Sequence, residues 1–244
     1  MALTDHDTLE GVDEAAQAAD NLGLAFVPGV EVSVTWSGST VHIVGLGVDS
    51  QHEGLREGLS GMRGFRDWRA EEMGRRLAKA GIEGVYELAC SFSNGRLISR
   101  THFARALVEQ GHADSVRGVF KSFLVKGKPG FVEGEWAELA DAVGWITAAG
   151  GQAVIAHPAR YKMTRTKLRK LIAAFVEAGG VGIEVVSGSH SRDEYFTMAA
   201  HARDFGLLAS VGSDYHGPEN PWIELGRLPD LPPGCTPIWH DWLV

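Results

Sequence analysis

Cysteine is scarce in this sequence. Its 244 residues contain two, Cys90 and Cys235, far apart and in no ligand-like spacing. That excludes a disulfide framework or a cysteine-rich metal knuckle, and the expected setting is a reducing cytoplasm. Long apolar runs are also lacking. Stretches such as Gly23–Val30 fall far short of the roughly 20 residues that cross a bilayer. No basic segment followed by an apolar one opens the chain, so neither a membrane span nor a secretory signal is expected. Positive charge is in deficit: 23 Lys and Arg stand against 31 Asp and Glu, a formal net charge of −8. That balance argues against a broad basic face for duplex DNA. It leaves anionic substrates open, because bound divalent cations set the local field of a site whatever the overall charge. No G-x-S-x-G occurs, so no serine nucleophile elbow is expected.

What remains is an ordinary globular composition, 44% hydrophobic and 22% charged, long enough for one large α/β domain or two small ones. Ten histidines are a generous supply. Ala2–Asp5 reads as the end of a buried strand, and Leu9–Leu22 as a helix stopped by Gly23. Phe26–Thr35 and Val41–Val48 are β-branched and alternating, which predicts a strand pair joined near Ser37-Gly38-Ser39. From about Gly54 to Gly134 the chain turns charged and helical. Alternation then resumes, with strands predicted at Gln152–Ala156, Gly182–Val186 and Leu207–Gly212, and helices at Thr166–Ala178 and Asp193–Phe205. The tail from Gly217, rich in Pro, Gly and Trp, is expected to wrap the outside. Strands alternating with helices imply a parallel sheet or barrel. The barrel would be formed by residues 1–53 and 135–244, with 54–134 as a helical insertion.

The chemical signal is positional. Apolar strands end in acids and histidines: Thr4-Asp5-His6-Asp7, Gly29-Val30-Glu31, Ala156-His157-Pro158 and Gly212-Ser213-Asp214-Tyr215-His216. In α/β barrels such strand ends face the active site. Asp214 and His216 are two apart, which in extended chain points both the same way. Glu31 and His42 lie on neighbouring strands and can share a face. His42 alone, between Val41 and Ile43, fits a hydrogen-bonded core histidine equally well, and Asp5 and Asp7 fit caps of the following helix. Taken together, His6, Glu31, His42, His157, Asp214 and His216 point to a metal cluster, since unrelated partners would otherwise have to satisfy every buried titratable group. Mixed imidazole and carboxylate donors suit Zn, Mn or Fe.

These segments carry a family likeness. TDHDTLEG (Thr4–Gly11), GVEVS (Gly29–Ser33), HIVGLG (His42–Gly47), IAHPARY (Ile155–Tyr161) and GSDYHGPE (Gly212–Glu219) resemble, in order, the motifs of the PHP (polymerase and histidinol phosphatase) phosphoesterases. SRTHFARALVEQG (Ser99–Gly111), FKSFLVKGKPGFV (Phe120–Val132), GIEVVSGSHS (Gly182–Ser191) and the ending WIELGRLPDLPPGC are similar to one branch, the 3′,5′-nucleoside bisphosphate phosphatases also described as an exoribonuclease. The resemblance covers nearly the whole chain. It implies a distorted (βα)7 barrel with an inserted small helical subdomain and up to three divalent metals, commonly Mn. Glu31 would bridge two metals, with His42 and His157 completing one site. Asp214 would share in the neighbouring site, and His6 with His216 would hold the third ion. The family opens with a strand bearing H-x-H-x-x-x-S-D-G and a helix, whereas this sequence starts inside the next strand. The first strand and helix are therefore expected to be missing, with fewer metals held, and Met1 reads as an internal methionine.

The implied activity is hydrolysis of the 3′-phosphate of nucleoside 3′,5′-bisphosphates, 5′-end trimming of short RNA, or both, through metal-bound hydroxide and without a protein nucleophile. Phosphate-monoester hydrolysis needs accelerations approaching ~10²¹, and a single general base supplies about 10²–10⁴, so metal ions fit the demand. The resemblance also implies substrate contacts at Arg69, Glu72, Arg100, Thr101 and His102. Arg66 and the rest of Arg66–Arg76 read equally as a solvated helix face. The basic run Arg160–Lys170 is at least as well explained as a helix exterior, and Trp36, Trp222, Trp239 and Trp242 as packing residues. The partners expected are a small nucleotide or short RNA, with no duplex DNA and no membrane. The alternatives are a truncated, weakly active or non-catalytic remnant, and another PHP phosphatase of the histidinol-phosphate type, which the long GIEVVSGSH and SRTH matches disfavour.

Overall fold

The computed structural model describes residues 1–93, 97–217 and 224–242. Pro218, Glu219 and Trp222, singled out in the sequence, lie outside the described residues. The chain divides into two compact units, Met1–Leu59 with Trp136–Val244, and Ser60–Glu135.

The first unit is mixed α/β, built on a curled sheet in which each end is an unclosed edge. Its strands are β1 (Ala2–Leu3), β2 (Val27–Trp36), β3 (Ser39–Leu46), β4 (Ala137–Glu138), β5 (Gln152–Ile155), β6 (Gly182–Ser187) and β7 (Leu208–Gly212). The order is β1-β2-β3-β5-β6-β7, with β4 paired to β2. The pairings β1–β2, β2–β4, β5–β6 and β6–β7 are parallel, but β2–β3 and β3–β5 are antiparallel. The sheet is thus mixed: it contains the strand pair expected near Ser37-Gly38-Ser39, whereas strand-helix alternation implied a parallel sheet or barrel. The reason is local. Ser37 (φ 47°) and Gly38 (φ 71°) form a two-residue turn with both centres left-handed, the geometry that closes a tight hairpin, so β3 runs back beside β2.

Helix α1 (Val12–Asn21) precedes β2 and ends where Gly23 takes φ 65°. Helices α6 (Leu139–Ala148), α7 (Arg165–Glu177) and α8 (Arg192–Phe205) link the later strands. A reciprocal capping box between Ser191 and Glu194 starts α8, satisfying two otherwise orphaned N–H groups. Both faces of β2 are buried. Val30, Val32 and Val34 join Val41, Ile43, Ile146, Ile155, Ile172 and Phe175 in the main core, each full burial stabilising by about 1.5–3 kcal/mol. Alternate residues, Glu31, His42, Val44 and Val154, take the opposite face.

The tail does not simply wrap the outside. Thr236 and Ile238 exchange backbone hydrogen bonds with Ala209 at 2.8 and 2.9 Å, extending the β7 edge. Ile238 is 1% exposed and packs on Val44, Val154 and Ala156. An isoleucine within a Pro-Ile-Trp sequence gave no periodic signal, and its burial follows from an open apolar sheet face that only the tail covers.

The second unit is helical. It contains most of α2 (Glu53–Lys79), with α3 (Val85–Phe92), α4 (Arg100–Glu109) and the short α5 (Val116–Val119) running into a wider turn at Phe120–Leu124. Its own core includes Met73, Leu77, Phe103, Leu107 and Leu124. Among the described residues no helix is long and apolar enough to cross a membrane.

Candidate metal centre

β1 runs parallel to β2 and continues as a bridge between His6 and Glu31. Backbone bonds from Asp7 N–H to Glu31 O (2.9 Å) and from Glu31 N–H to Asp5 O (3.0 Å) fix the register. His42 pairs with Ser33, while Glu31 pairs with Val44, so Glu31 and His42 are diagonal neighbours on one face. The diagonal brings Glu31 Oε1 to 3.0 Å from His42 Nδ1. His157, just past β5, takes φ 29° and ψ 54°, a left-handed backbone uncommon outside functional sites and glycine. That bend returns its ring over the sheet, with Nε2 at 2.9 Å from Glu31 Oε1 and 3.2 Å from His42 Nδ1. Three atoms bearing lone pairs thus converge on one space.

His6 and Asp214 also approach Glu31, whereas His216 lies outside both groups of converging ligand atoms. His6 Nδ1 is 3.5 Å from Glu31 Oε2, and the His6 ring centroid lies 4.6 Å from His42 and 5.9 Å from His216. Asp214 is not in extended chain, as its spacing from His216 suggested, but turns left-handed at φ 51°. This directs its carboxylate to Glu31 and His157, and His216 Nδ1 folds back to 2.9 Å from the Asp214 carbonyl. The Asp214 carboxylate pairs with Arg160. The ligand atoms of His6, Glu31 and His42 lie within 4.8 Å of one another, as do those of Glu31, His157 and Asp214, so Glu31 belongs to both groups. Its two oxygens face different partners, an arrangement suited to bridging two ions. Imidazole nitrogens and carboxylate oxygens aimed at common points fit divalent transition metals.

The protonation pattern follows from this crowding. Burial pushes the Glu31 pKa up, but the charge of His6 and the hydrogen bonds from His157 and His42 outweigh it, holding the group well below the ordinary carboxylate value. Burial lowers the His157 pKa, yet Glu31, Glu184 and Asp214 raise it on balance. Cations are therefore favoured in the cluster, whether protons or metals.

Two residues next to the cluster, Glu184 and Tyr161, were not singled out in the sequence, and a third, Asp7, was read there as a helix cap. Glu184, in a strand buried along its whole length, accepts the His157 backbone N–H at 2.6 Å. Burial pushes its pKa up to about 7. A lone charged residue inside Gly-Ile-Glu-Val-Val-Ser was the available signal. Asp7 does not cap α1, whose N-cap has no side-chain bond. Fully buried, its Oδ1 accepts the Ser33 N–H at 2.7 Å. Tyr161 bonds the backbone beside both His42 and His157, a role with no local signature.

In the second unit, Arg69 is 9% exposed, and its Nε donates to Val132 O at 3.0 Å. Burial, with the charges of Arg100 and Arg66, lowers its pKa to about 10. Glu72 instead accepts from Arg75 and Arg76, at 2.7 Å each, and those bonds hold its pKa down at about 2. His102 Nδ1 accepts the Ser99 N–H at 3.1 Å as part of the capping box that opens α4. Thr101 sits in the same first turn.

No family model matches the chain. A 3′,5′-nucleoside bisphosphate phosphatase of Chromobacterium violaceum is 52% identical over 242 residues, covering 99% of this chain and 85% of that protein. The 5′-3′ exoribonuclease Rnm of Escherichia coli is 42% identical over 244 residues, with 99% and 83% covered. A 5′-3′ exoribonuclease of Haemophilus influenzae is 43% identical, with 98% and 87% covered. Among solved structures, an amidohydrolase from C. violaceum with bound sulfate and no metal superposes with a TM-score of 0.94 at 52% identity, covering 98% of this chain and 84% of that one. A metal-dependent phosphoesterase from Bifidobacterium adolescentis shares the fold, with a TM-score of 0.80 at 23% identity.

Proposed function

The chain belongs to the family of 3′,5′-nucleoside bisphosphate phosphatases and 5′-3′ exoribonucleases, and from that membership we propose that it is a PHP-type phosphoesterase that hydrolyses the 3′-phosphate of nucleoside 3′,5′-bisphosphates, trims short RNA from the 5′ end, or does both. In either case water supplies the oxygen of a new P–O bond, the ester P–O bond breaks, and the departing oxygen takes up a proton. The single observation that carries the reading is the meeting of Glu31 Oε1, His42 Nδ1 and His157 Nε2 within 3.2 Å of one another.

His6, Glu31, His42, His157, Asp214 and His216 would hold divalent ions, with Mn suited to the mixed imidazole and carboxylate donors. Such ions, when bound, lower the pKa of water toward ~7 and neutralise phosphate charge. The protein's own groups orient the substrate and exclude competing water; none of these carboxylates or imidazoles attacks phosphorus. Arg69, Glu72, Arg100, Thr101 and His102 would contact the substrate, Arg69 and Arg100 through a phosphate. The reading is supported by the chemistry of the side chain, since the arginine fork binds phosphate bidentately. These residues fall in the helical segment 54–134, which we read as an insertion in the barrel. Two free cysteines suit a cytoplasmic setting.

The test is turnover of adenosine 3′,5′-bisphosphate (inorganic phosphate released), a short 5′-phosphorylated RNA (5′-mononucleotides released) and histidinol phosphate (inorganic phosphate released). Release from the first or second, abolished by EDTA and restored by Mn²⁺, is expected. Release from histidinol phosphate alone overturns the substrate, and none with saturating Mn²⁺ overturns the enzyme.

A further inference from the structure

β3 and β5 are antiparallel, with Ile43 opposite Ile155, which sets His42 opposite Ala156. A facing pair bonded in one direction ordinarily exchanges both N–H···O bonds. One rung is present, from Ala156 N–H to His42 O at 3.1 Å. The reciprocal rung is replaced. His42 N–H donates to the Tyr161 hydroxyl at 2.8 Å, and that hydroxyl donates to Ala156 O at 2.7 Å. Its one proton goes to Ala156 O, since His42 O is farther away at 3.4 Å.

The substituted rung lies where two ligand candidates leave the sheet. His42 is one, and Ala156 immediately precedes His157, whose backbone is already left-handed. Tyr161 ends the turn Pro158–Tyr161 that begins at His157, and its ring sits edge-on to the His157 ring at 5.4 Å. His190 Nε2 holds the same turn by accepting the Ala159 N–H at 3.3 Å.

We propose that Tyr161 is a positioning residue for the metal cluster, its hydroxyl serving as an inserted rung that sets the spacing of His42 and His157. The inference rests on the metal-binding reading above. Direct closure of the ladder would draw the two backbones together and shift imidazole nitrogens now 3.2 Å apart, and ligand geometry controls affinity as strongly as ligand identity.

The test uses the whole chain and Co²⁺ alone, read by titration calorimetry and by the visible ligand-field spectrum. Tyr161→Phe removes one oxygen and keeps the ring. It is expected to bind Co²⁺ at least about tenfold more weakly, as loss of an outer-shell partner does, with an altered spectrum. Phe175→Leu, in the core of α7, provides a chain of comparable Tm loss that should keep parental affinity and spectrum. Parental binding and spectrum in Tyr161→Phe overturn the proposal, as does equal weakening in Phe175→Leu. A parent that takes up no Co²⁺ overturns the metal reading and this one with it. Should Tyr161→Phe not fold, amide exchange of the parent decides. Protection of the His42 N–H that rises on Co²⁺ loading is expected, and exchange unchanged by Co²⁺ overturns the proposal.

Discussion

Glu184 accepts the backbone N–H of His157 at 2.6 Å, from a strand with no exposed residue. The carboxyl thus holds in place a residue whose left-handed backbone costs of order 1–3 kcal/mol. Its folded pKa of about 7 lies above the ordinary 4.5, so the folded chain binds this proton more tightly than the unfolded one. The stabilisation is complete below pH 4.5 and is lost as pH rises to about 7. At ~1.36 kcal/mol per pKa unit the upper bound is about 3 kcal/mol. Thermal melts of the metal-stripped parent and Glu184→Gln should therefore converge near pH 7 less well than near pH 5, the parent losing more stability across that window. Parallel profiles would contradict the assignment.

Gly212 leaves the space that Glu184 fills. A Cβ there would lie 2.0 Å from Glu184 Oε1. Gly212→Ala should destabilise the chain by about 1–3 kcal/mol, the usual cost of overpacking. It should also weaken metal binding, since Asp214 lies two residues on. Denaturant melts with and without Mn²⁺ measure both.

Glu31 faces His6 through one oxygen and His42 and His157 through the other. Glu31→Gln removes the charge and keeps the shape. Even outer-shell changes cost 10–100-fold, so a loss of at least about 10²-fold in both Mn²⁺ affinity and kcat/KM is expected. Wild-type affinity would remove Glu31 from the ligand set.

Arg69 is expected to grip a phosphate remote from the bond that breaks. Arg69→Lys keeps the charge and loses the fork, so KM for adenosine 3′,5′-bisphosphate should rise about tenfold, the equivalent of ~1.4 kcal/mol. With adenosine 3′-monophosphate, which lacks the second phosphate, the two chains should differ little. An equal effect on both substrates would place Arg69 elsewhere.

Ile238 seals the sheet face opposite the main core. Ile238→Ala should cost about 2–5 kcal/mol by leaving a cavity, read as a lower Tm, whereas Trp242→Ala on the 37% exposed Trp242 should cost little.

The candidate cluster was legible because its residues sit where apolar strands stop, a pattern that periodicity exposes one residue at a time. His6, Glu31, His42, His157, Asp214 and His216 were read that way; the structure gathers the first five in two groups that share Glu31 and sets the His216 ring 5.9 Å from that of His6. Glu184 was missed, and Asp7 was read as a helix cap, because each acts on backbone far away in sequence, 27 and 26 residues distant. No local pattern records such a bond.

Composition, strand periodicity and the turn at Ser37-Gly38 determined an α/β chain whose acids and imidazoles gather at strand ends, because alternation and φ preference are properties of neighbouring residues. Only the tertiary structure decided the antiparallel docking of β5 on β3, the entry of Ile238 into the sheet face, and the left-handed bends that aim His157 and Asp214 at Glu31. Those features depend on which strands meet in space and on buried groups finding partners there, and adjacency along the chain does not contain that information.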